Sequence, residues 1–396
     1  MKHFSDYRDH FAQALRQEVI PFWEKHSPDS EYGGYFTCLL RDGTVYDTDK
    51  FVWLQARQIW TFASLYNQLE ARQEWLDLAL SGADFLQQYG KDQEGKWYFA
   101  LAQDGRPLVQ AYNIFSDCFA AMAFGQLFLA TNKEEYAEIA RNTFHKILQR
   151  QDNPKGSYNK LVPGSRPLQG FALPMILCNL CLELEPLLEK EQVEQTIDQC
   201  IHTVMDRFYD SESGLVLENV QADGQVSDTF AGRLLNPGHA LEAMWFIMDL
   251  GARRQDQALI EKANERALFM LDYGWDQQEQ GIFYFLDRLG YPPEQLEWDQ
   301  KLWWVHLEAM EACLKGYLHT RNNQNWQWFE RLFAYTWPRF RDEQHGEWFG
   351  YLKRNGGPLH TAKGGKWKGC FHVPRALWHN WQTLDKIIHK YERDPK

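Results

Sequence analysis

Four segments of the chain place ionisable side chains inside runs that are otherwise apolar. They are FVWLQARQIW with Arg57, NPGHALEAMW with His239 and Glu242, KLWWVHLEAM with Glu308, and KGCFHVPRAL with His372 and Arg375. A single histidine or glutamate on a buried helix is usually a hydrogen-bonded core residue, but ionisable groups are rarely buried without a partner or a task. Four such segments together predict a polar pocket in an apolar interior, although the residues alone leave its chemistry open.

Helical spacing brings several of these side chains onto common faces. His239 and Glu242 are three residues apart, so they share one face of a helix. The same spacing relates His372 to Arg375. Lys301, Trp304 and Glu308 also align on one face if their segment is helical. The spacing therefore predicts that these residues act in groups.

A short turn of glycine followed by aromatic or β-branched residues recurs along the whole chain. Its six copies are EYGGYF at Gly34, EGKWYF at Gly95, KGSYNK at Gly156, SGLVLE at Gly214, QGIFYF at Gly281 and HGEWFG at Gly346, spaced by 58 to 67 residues. A regular period of this kind indicates a repeat architecture, with each turn leading into a short hairpin strand.

Between these turns the hydrophobic pattern is helical, and amphipathic helices alternate with helices that are apolar on nearly all sides. Twelve helices are predicted, at 3–25, 50–70, 73–89, 113–130, 133–150, 168–187, 190–207, 236–251, 256–273, 297–319, 324–340 and 371–391. A helix that is apolar all round must be enclosed, so every second helix belongs inside. The pattern predicts an all-α (α/α)6 barrel with short β-hairpins in its rim loops, forming one domain over residues 1–396. All inner helices then begin at the same rim, where their positive ends favour negative charge.

Composition argues against several classes of protein. The net charge of −12 and the lack of a basic cluster argue against nucleic acid as a partner. No stretch of about 18 consecutive apolar residues predicts a membrane span, and seven scattered cysteines are unlike a secreted disulfide framework, so a soluble cytoplasmic protein is expected. No metal-ligand spacing and no dinucleotide-binding G-x-G-x-x-G motif are found, so no metal and no redox cofactor are predicted.

The segments NPGHALEAMW, KLWWVHLEAM, GEWFGYL and KGGKWKGCFHVPRAL resemble the N-acylglucosamine 2-epimerase family, whose animal members are also called renin-binding proteins. The resemblance spans all six repeats. It implies interconversion of N-acetyl-D-glucosamine and N-acetyl-D-mannosamine without a consumed cofactor, by proton transfer at C2 of the open-chain sugar. Inversion at C2 needs one acid/base group on each side, and histidine suits this task because its ordinary pKa is ~6.5.

The resemblance also assigns roles to individual residues. His239 and His372 are expected to be the two acid/base groups, Arg57 to bind the carbonyl oxygen, and Glu308 to belong to the catalytic set. The expected substrate-binding residues are Glu242, Trp304, Lys301 and Arg375. The resemblance further implies a homodimer and ATP as an activator that is not consumed. The ATP site is unknown, and the segment 161–170, with Ser165 and Arg166, is a weak candidate.

Three alternatives remain open at this stage. A cellobiose 2-epimerase or an aldose–ketose isomerase on the same barrel needs the same proton transfers, so only the pocket for the acyl group separates them from the main hypothesis. A glycoside hydrolase or lyase could draw two carboxylates from Asp117, Glu242 and Glu308. A non-enzymatic binding protein is the third possibility, but it has no need of two opposed histidines.

Overall fold

Helices make up most of the computed structural model, which describes residues 3–162, 164, 165 and 167–391. In chain order they are α1 (Phe4–Ala14), α2 (Ile20–His26), α3 (Val52–Gln68), α4 (Gln73–Tyr89), α5 (Ile114–Thr131), α6 (Glu134–Arg150), α7 (Ala172–Leu184), α8 (Lys190–His202), α9 (Phe230–Arg233), α10 (Pro237–Arg254), α11 (Gln257–Gly274), α12 (Trp303–Thr320), α13 (Asn323–Phe340) and α14 (His372–Tyr391). Each of the twelve predicted helices has a counterpart, since α1 and α2 together fill the first predicted range.

Six of these helices form an inner ring. Helix α3 packs on α5, α5 on α7, α7 on α10, α10 on α12, and α12 on α14. The ring closes where Trp60 of α3 meets Phe371 next to α14, with ring centroids 5.2 Å apart. Helices α4, α6, α8, α11, α13 and α1 pack outside α3, α5, α7, α10, α12 and α14 respectively. The arrangement is an (α/α)6 barrel, as predicted.

The sequences of the helices explain which of them lie inside. Inner helix α5 carries one charged residue, Asp117, and is buried over most of its length. Outer helix α6 buries only one stripe, which includes Tyr136, Phe144 and Ile147. Helix α5 is apolar and long enough to cross a membrane by length and composition, but 72% of it is buried between its neighbours. It therefore serves here as a core helix of the barrel.

Short antiparallel strands connect the loops at the rim. They are β1 (Cys38–Leu39), β2 (Val45–Asp47), β3 (Lys50–Phe51), β4 (Ala100–Leu101), β5 (Pro107–Val109), β6 (Leu168–Gly170), β7 (Tyr209–Asp210), β8 (Leu215–Val216), β9 (Asn219–Gln221), β10 (Leu234–Leu235), β11 (Leu286–Asp287), β12 (Lys301–Leu302) and β13 (Tyr351–Leu352). Strands β3, β6, β10 and β12, which precede inner helices, pair with β4, β9, β11 and β13 from following loops. These pairings fix the points at which the inner helices begin.

The six predicted glycine turns all adopt a left-handed backbone. Their φ angles lie between 55° and 75°. At Gly346 an added Cβ would also lie 2.6 Å from the Glu18 carbonyl oxygen, so this turn needs glycine for space as well as for conformation. The predicted repeat is therefore present in the backbone.

Several predicted boundaries were wrong. Residues 168–170 are strand β6, and residues 297–302 precede α12 because Lys301 and Leu302 pair with β13. The first helix contains a π-helical turn at Leu15–Val19, and α8 ends in another at Thr203–Arg207. The inner helices share one large hydrophobic cluster. A single domain over residues 1–396 agrees with that cluster but stays a prediction.

Candidate active site

The first turns of all six inner helices surround one cavity of about 460 Å³. Its wall is formed by Trp53, Arg57, Asn113, Phe115, Phe119, Ala172, Met175, Ile176, His239, Glu242, Tyr284, Glu297, Gln300, Leu302, Trp303, Trp304, Tyr351, Trp367 and His372. Because helix N-termini carry a partial positive charge, the cavity is suited to a ligand that develops negative charge. The predicted position of a pocket at this rim agrees with the structure.

His239 lies in the first turn of α10, where the Asn236 side chain caps the helix and accepts the His239 backbone N–H at 3.1 Å. The imidazole Nδ1–H donates to both carboxylate oxygens of Glu218 at 3.0 Å, which leaves Nε2 on the cavity side. Burial disfavours the charged imidazole, but the Glu218 carboxylate, with help from Glu242, raises the pKa of His239 above its usual value. His239 is therefore suited to carry a proton at neutral pH.

His372 is held in the same manner at the start of α14. Its Nδ1–H donates to Glu308 Oε1 at 2.8 Å, and its side chain is 9% exposed. Burial, followed by the positive charges of Arg57 and Arg375, lowers the pKa of His372 well below its usual value. His372 is therefore neutral at physiological pH and can accept a proton.

Trp304 of α12 lies between the two histidines. Its ring centroid is 5.4 Å from that of His239 and 5.7 Å from that of His372. Helices α10 and α14, which carry the histidines, flank α12 on either side of the ring. The two imidazoles therefore reach one cavity from different helices, with opposite preferences for a proton.

Arg57 of α3 enters the same cavity without a balancing charge. Its guanidinium carbon lies 4.3 Å from the ring centroid of Trp53, 3.9 Å from that of Phe119 and 4.6 Å from that of Phe371. Its buried Nε has no hydrogen-bond partner in the described chain. Burial lowers the pKa of Arg57, and Glu242 opposes this effect from a distance. A buried donor without a partner is suited to bind an oxygen atom of a ligand.

Behind the cavity wall, Arg375 links two carboxylates. Its Nη2 donates to Glu242 Oε1 at 2.5 Å and to Glu308 Oε1 at 2.7 Å. Glu308 Oε2 accepts from the Trp245 indole N–H at 2.9 Å. Ligand atoms of Glu242, Glu308 and His372 lie within 4.8 Å of one another, as in a metal site. The Arg375 guanidinium already binds both carboxylates, and burial raises the pKa of Glu308, so the group forms a hydrogen-bonded support for His372.

The structure brings most of the predicted site residues together. Five of them line the cavity: Arg57, His239, Glu242, Trp304 and His372. Glu308 and Arg375 lie one layer further back and hold the residues of the wall.

The structure does not place Lys301, a predicted substrate contact, at the cavity. Its fully buried ammonium group donates to Asp276 Oδ2 at 3.1 Å and lies 3.9 Å from the ring centroid of Phe283. It is absent from the cavity wall. Because Lys301 belongs to β12 and not to α12, it does not share the helical face of Trp304 and Glu308.

The sequence prediction missed Glu218, the partner of His239. Glu218 follows Gly214 by four residues, in the fourth glycine turn. Three other repeats have Cys38, Phe99 and Phe285 at the matching position. A carboxylate where three other repeats are apolar was the available signal for this residue, and the remaining two repeats have Lys160 and Gly350 there.

The sequence of this chain is similar to a known protein family over most of its length. Residues 34–376 match the family model described as N-acylglucosamine 2-epimerase. The N-acylglucosamine 2-epimerase of Bos taurus is 41% identical over 96% of this chain and 92% of its own length, and that of Homo sapiens is 38% identical over 94% and 88%.

Solved structures with low sequence identity share the fold. The cellobiose 2-epimerase of Bacillus thermoamylovorans superposes with a TM-score of 0.83 at 20% identity, covering 96% of this chain and 99% of that one. A D-mannose isomerase superposes with a TM-score of 0.82 at 18% identity, covering 95% and 98%. The match to the family model, together with the identity to these relatives over nearly the whole length, shows that the chain belongs to the N-acylglucosamine 2-epimerase family.

Proposed function

We propose that this protein interconverts N-acetyl-D-glucosamine and N-acetyl-D-mannosamine by inverting C2 of the open-chain sugar. The observation that carries the proposal is the pair of histidines that line one cavity, each oriented by a carboxylate that binds its Nδ1. The relatives named N-acylglucosamine 2-epimerase support the choice of sugar.

The chemistry follows from the charges around the cavity. In the open-chain form the C1 aldehyde acidifies the proton on C2. Neutral His372 removes that proton, the electrons of the C2–H bond form a C1=C2 double bond, and the π electrons of the C1=O bond move to O1 to give an enolate. Arg57 and the positive ends of the inner helices stabilise the charge on O1. Protonated His239 then delivers its Nε2 proton to the opposite face of C2, which completes the inversion.

The two pKa shifts define one resting state of the enzyme. Burial and neighbouring cations keep His372 neutral, whereas the Glu218 carboxylate favours the charged form of His239. One turnover leaves the proton on His372 and removes it from His239. The enzyme must therefore return its protons to the resting state, or next process the other epimer.

A glycosidase mechanism fits this cavity poorly because its candidate carboxylates are occupied. Asp117 accepts from Arg150 of outer helix α6 at 3.0 Å and is absent from the cavity wall. Glu242 and Glu308 are both bound to Arg375. An epimerase of neutral sugars or an aldose–ketose isomerase would use the same histidines, so the products must separate these reactions.

The test is incubation of the purified protein with N-acetylmannosamine in deuterated water, followed by NMR. The expected product is N-acetylglucosamine with deuterium at C2. Replacement of His372 by Asn should abolish turnover with the fold retained, whereas the matched variant His379→Asn should remain active. His379 also lies on α14, but it bonds Glu311 and does not line the cavity. A ketose product, or no exchange at C2, would contradict the proposal.

We also propose a cytoplasmic homodimer that ATP activates without being consumed. Leu168, Gln169 and Gly170 of the segment predicted for ATP line a second cavity of about 750 Å³, together with the cations Lys155 and Arg207. Those cations suit phosphate groups, while Arg166 lies outside the described residues. Epimerisation rates with and without ATP, in the wild type and in Lys155→Ala, test this site. Sedimentation analysis tests the dimer.

A further inference from the structure

The cavity of the active site has two halves of different chemistry. Inner helices α10 and α14 contribute His239, Glu242 and His372. Inner helices α5 and α7 contribute carbon surface from Phe115, Phe119, Ala172, Met175 and Ile176. Met175 is 2% exposed and Ile176 is 7% exposed, so packing against neighbouring side chains holds both in place where they line the cavity. The catalytic chemistry described above uses none of these apolar side chains.

The geometry of the enolate indicates which part of the substrate contacts this apolar wall. This inference rests on the proposed epimerase function. Carbon C2 of the enolate is planar, so its two faces point to His239 and His372. Its three substituents lie in the plane between them: C1, the remaining sugar chain and the acylamino nitrogen. Arg57 holds the oxygen on C1. The hydroxylated chain suits the polar mouth of the cavity, where Glu297 and Gln300 lie.

With C1 directed to Arg57 and the sugar chain directed to Glu297 and Gln300, the acylamino nitrogen points toward α5 and α7. Arg57 packs on Phe119 of α5, with 3.9 Å between the guanidinium carbon and the ring centroid. The acyl carbon is three bonds from C1, so it must lie close to this contact. Helix α7 stands next to α5 in the ring and places Ala172, Met175 and Ile176 on one face at spacings of three and four residues.

We propose that Ala172, Met175 and Ile176 of α7, facing Phe119 of α5, form the subsite for the alkyl part of the 2-acylamino group. The alkyl end of that group is the apolar part of an otherwise polar substrate. Helix α7 supplies most of the aliphatic surface of the cavity, whereas its other apolar lining is mainly aromatic. A neutral aldose would place a hydroxyl group near carbon surface that offers it no hydrogen bond. The subsite therefore selects acylamino sugars over neutral sugars, and its depth sets the length of acyl chain that is accepted.

The test compares kcat/KM for N-acetylmannosamine and N-butanoylmannosamine in the wild type, Met175→Ala and Ile176→Ala. Enlarging the subsite should raise the ratio of N-butanoyl to N-acetyl activity by about tenfold, the usual effect of one or two methylenes in an apolar pocket. Ala172→Leu should lower that ratio and also lower activity on the N-acetyl sugar. The ratio does not depend on the fraction of enzyme that is folded, and Ile176→Val provides a milder change if the alanine variants fold poorly.

Leu184→Ala is the matched control. Leu184 is fully buried at the far end of α7, and it does not line the cavity, so its loss should leave the ratio unchanged. An unchanged ratio in Met175→Ala, Ile176→Ala and Ala172→Leu, in an enzyme whose wild type exchanges the C2 proton, would overturn the subsite and leave the epimerase function standing. A wild type that exchanges no C2 proton on either sugar would overturn the proposed function itself.

Discussion

Replacement of Glu218 by Gln removes the negative charge beside His239 and keeps an oxygen that can accept its Nδ1–H. Both carboxylate oxygens lie 3.0 Å from that nitrogen, and the side chains of His239 and Glu218 are 25% and 14% exposed. Without the carboxylate, burial dominates the environment of His239 and its pKa falls. The Glu218→Gln enzyme is therefore expected to lack its proton donor at neutral pH.

The size of the effect follows from the distance. Two unit charges about 3 Å apart attract each other by about 5 kcal/mol at an effective dielectric constant of ~20. Burial of the imidazolium offsets part of this attraction, and the net contribution of a hydrogen bond to a charged group is about 1.5 to 3 kcal/mol. Because ~1.4 kcal/mol corresponds to a factor of ten, the rate at high pH, where protonation of His239 limits turnover, should fall by roughly ten- to a hundredfold.

The assay is the pH profile of kcat for epimerisation of N-acetylmannosamine. In Glu218→Gln the loss of activity at high pH should begin at a lower pH than in the wild type, and activity should recover on acidification because His372 stays neutral there. Glu218→Asp should restore much of the profile. Glu297→Gln is the control, since Glu297 also lines the cavity but holds no histidine in the described chain. A uniform fall at every pH would refute the role of the Glu218 charge.

Three further predictions test other parts of the site. In the wild type, the pH profile of kcat/KM should be broader than that of two ordinary histidines. Its low-pH limb follows the lowered pKa of His372 and its high-pH limb the raised pKa of His239, and initial rates at low substrate over a pH series measure this. Arg57→Met should lower kcat by about a hundredfold or more, the usual cost of losing an oxyanion donor, and kinetics measure this loss. Its melting temperature should equal or exceed that of the wild type in calorimetry, because a buried charge without an ion pair has been removed. Lys301→Met should lower the free energy of unfolding by about 1.5 to 3 kcal/mol, the value of one hydrogen bond to a charged group, because Arg354 still pairs with Asp276. Its kcat should be unchanged, and chemical denaturation and kinetics measure the two effects.

The fold could be predicted because its signals repeat. Glycine turns spaced by 58 to 67 residues and alternating helix types each occur six times, so an error in one repeat does not change the architecture. The strands could be expected only as short hairpins at the rim. Strand β12, for example, is two residues long and exists because Lys301 and Leu302 meet β13. Sequence patterns cannot reveal such pairings, because tertiary contacts create them.

The candidate site was predictable to the extent that its residues stand out against an apolar background. His239 and His372 were found in this way, since each lies in the first turn of an apolar inner helix. Their partners are harder to find, because Glu218 is 21 residues from His239 and Glu308 is 64 residues from His372. No periodic pattern connects residues so far apart, and only the closed ring brings them together.

The position of Lys301 shows how buried charges in this barrel can be told apart. Three lysines make the same contacts, each binding a carboxylate and a backbone carbonyl near a glycine turn: Lys50 with Asp29 and Gly33, Lys301 with Asp276 and Gly281, and Lys363 with Asp342 and Glu347. Each is paired with a buried carboxylate and none lines the active-site cavity, so they tie the turns to the rim.

Arg57 is also buried in the barrel, yet its Nε has no partner among the described residues and its guanidinium lies on aromatic rings. Burial alone therefore does not identify a functional charge in this fold. What distinguishes these cations is whether they form an ion pair. A buried lysine that is paired with a carboxylate holds the rim in place, whereas a buried arginine without such a pair is available to an oxygen of the substrate. The buried lysines therefore serve stability, whereas Arg57 and two oppositely tuned histidines serve the reaction on the sugar.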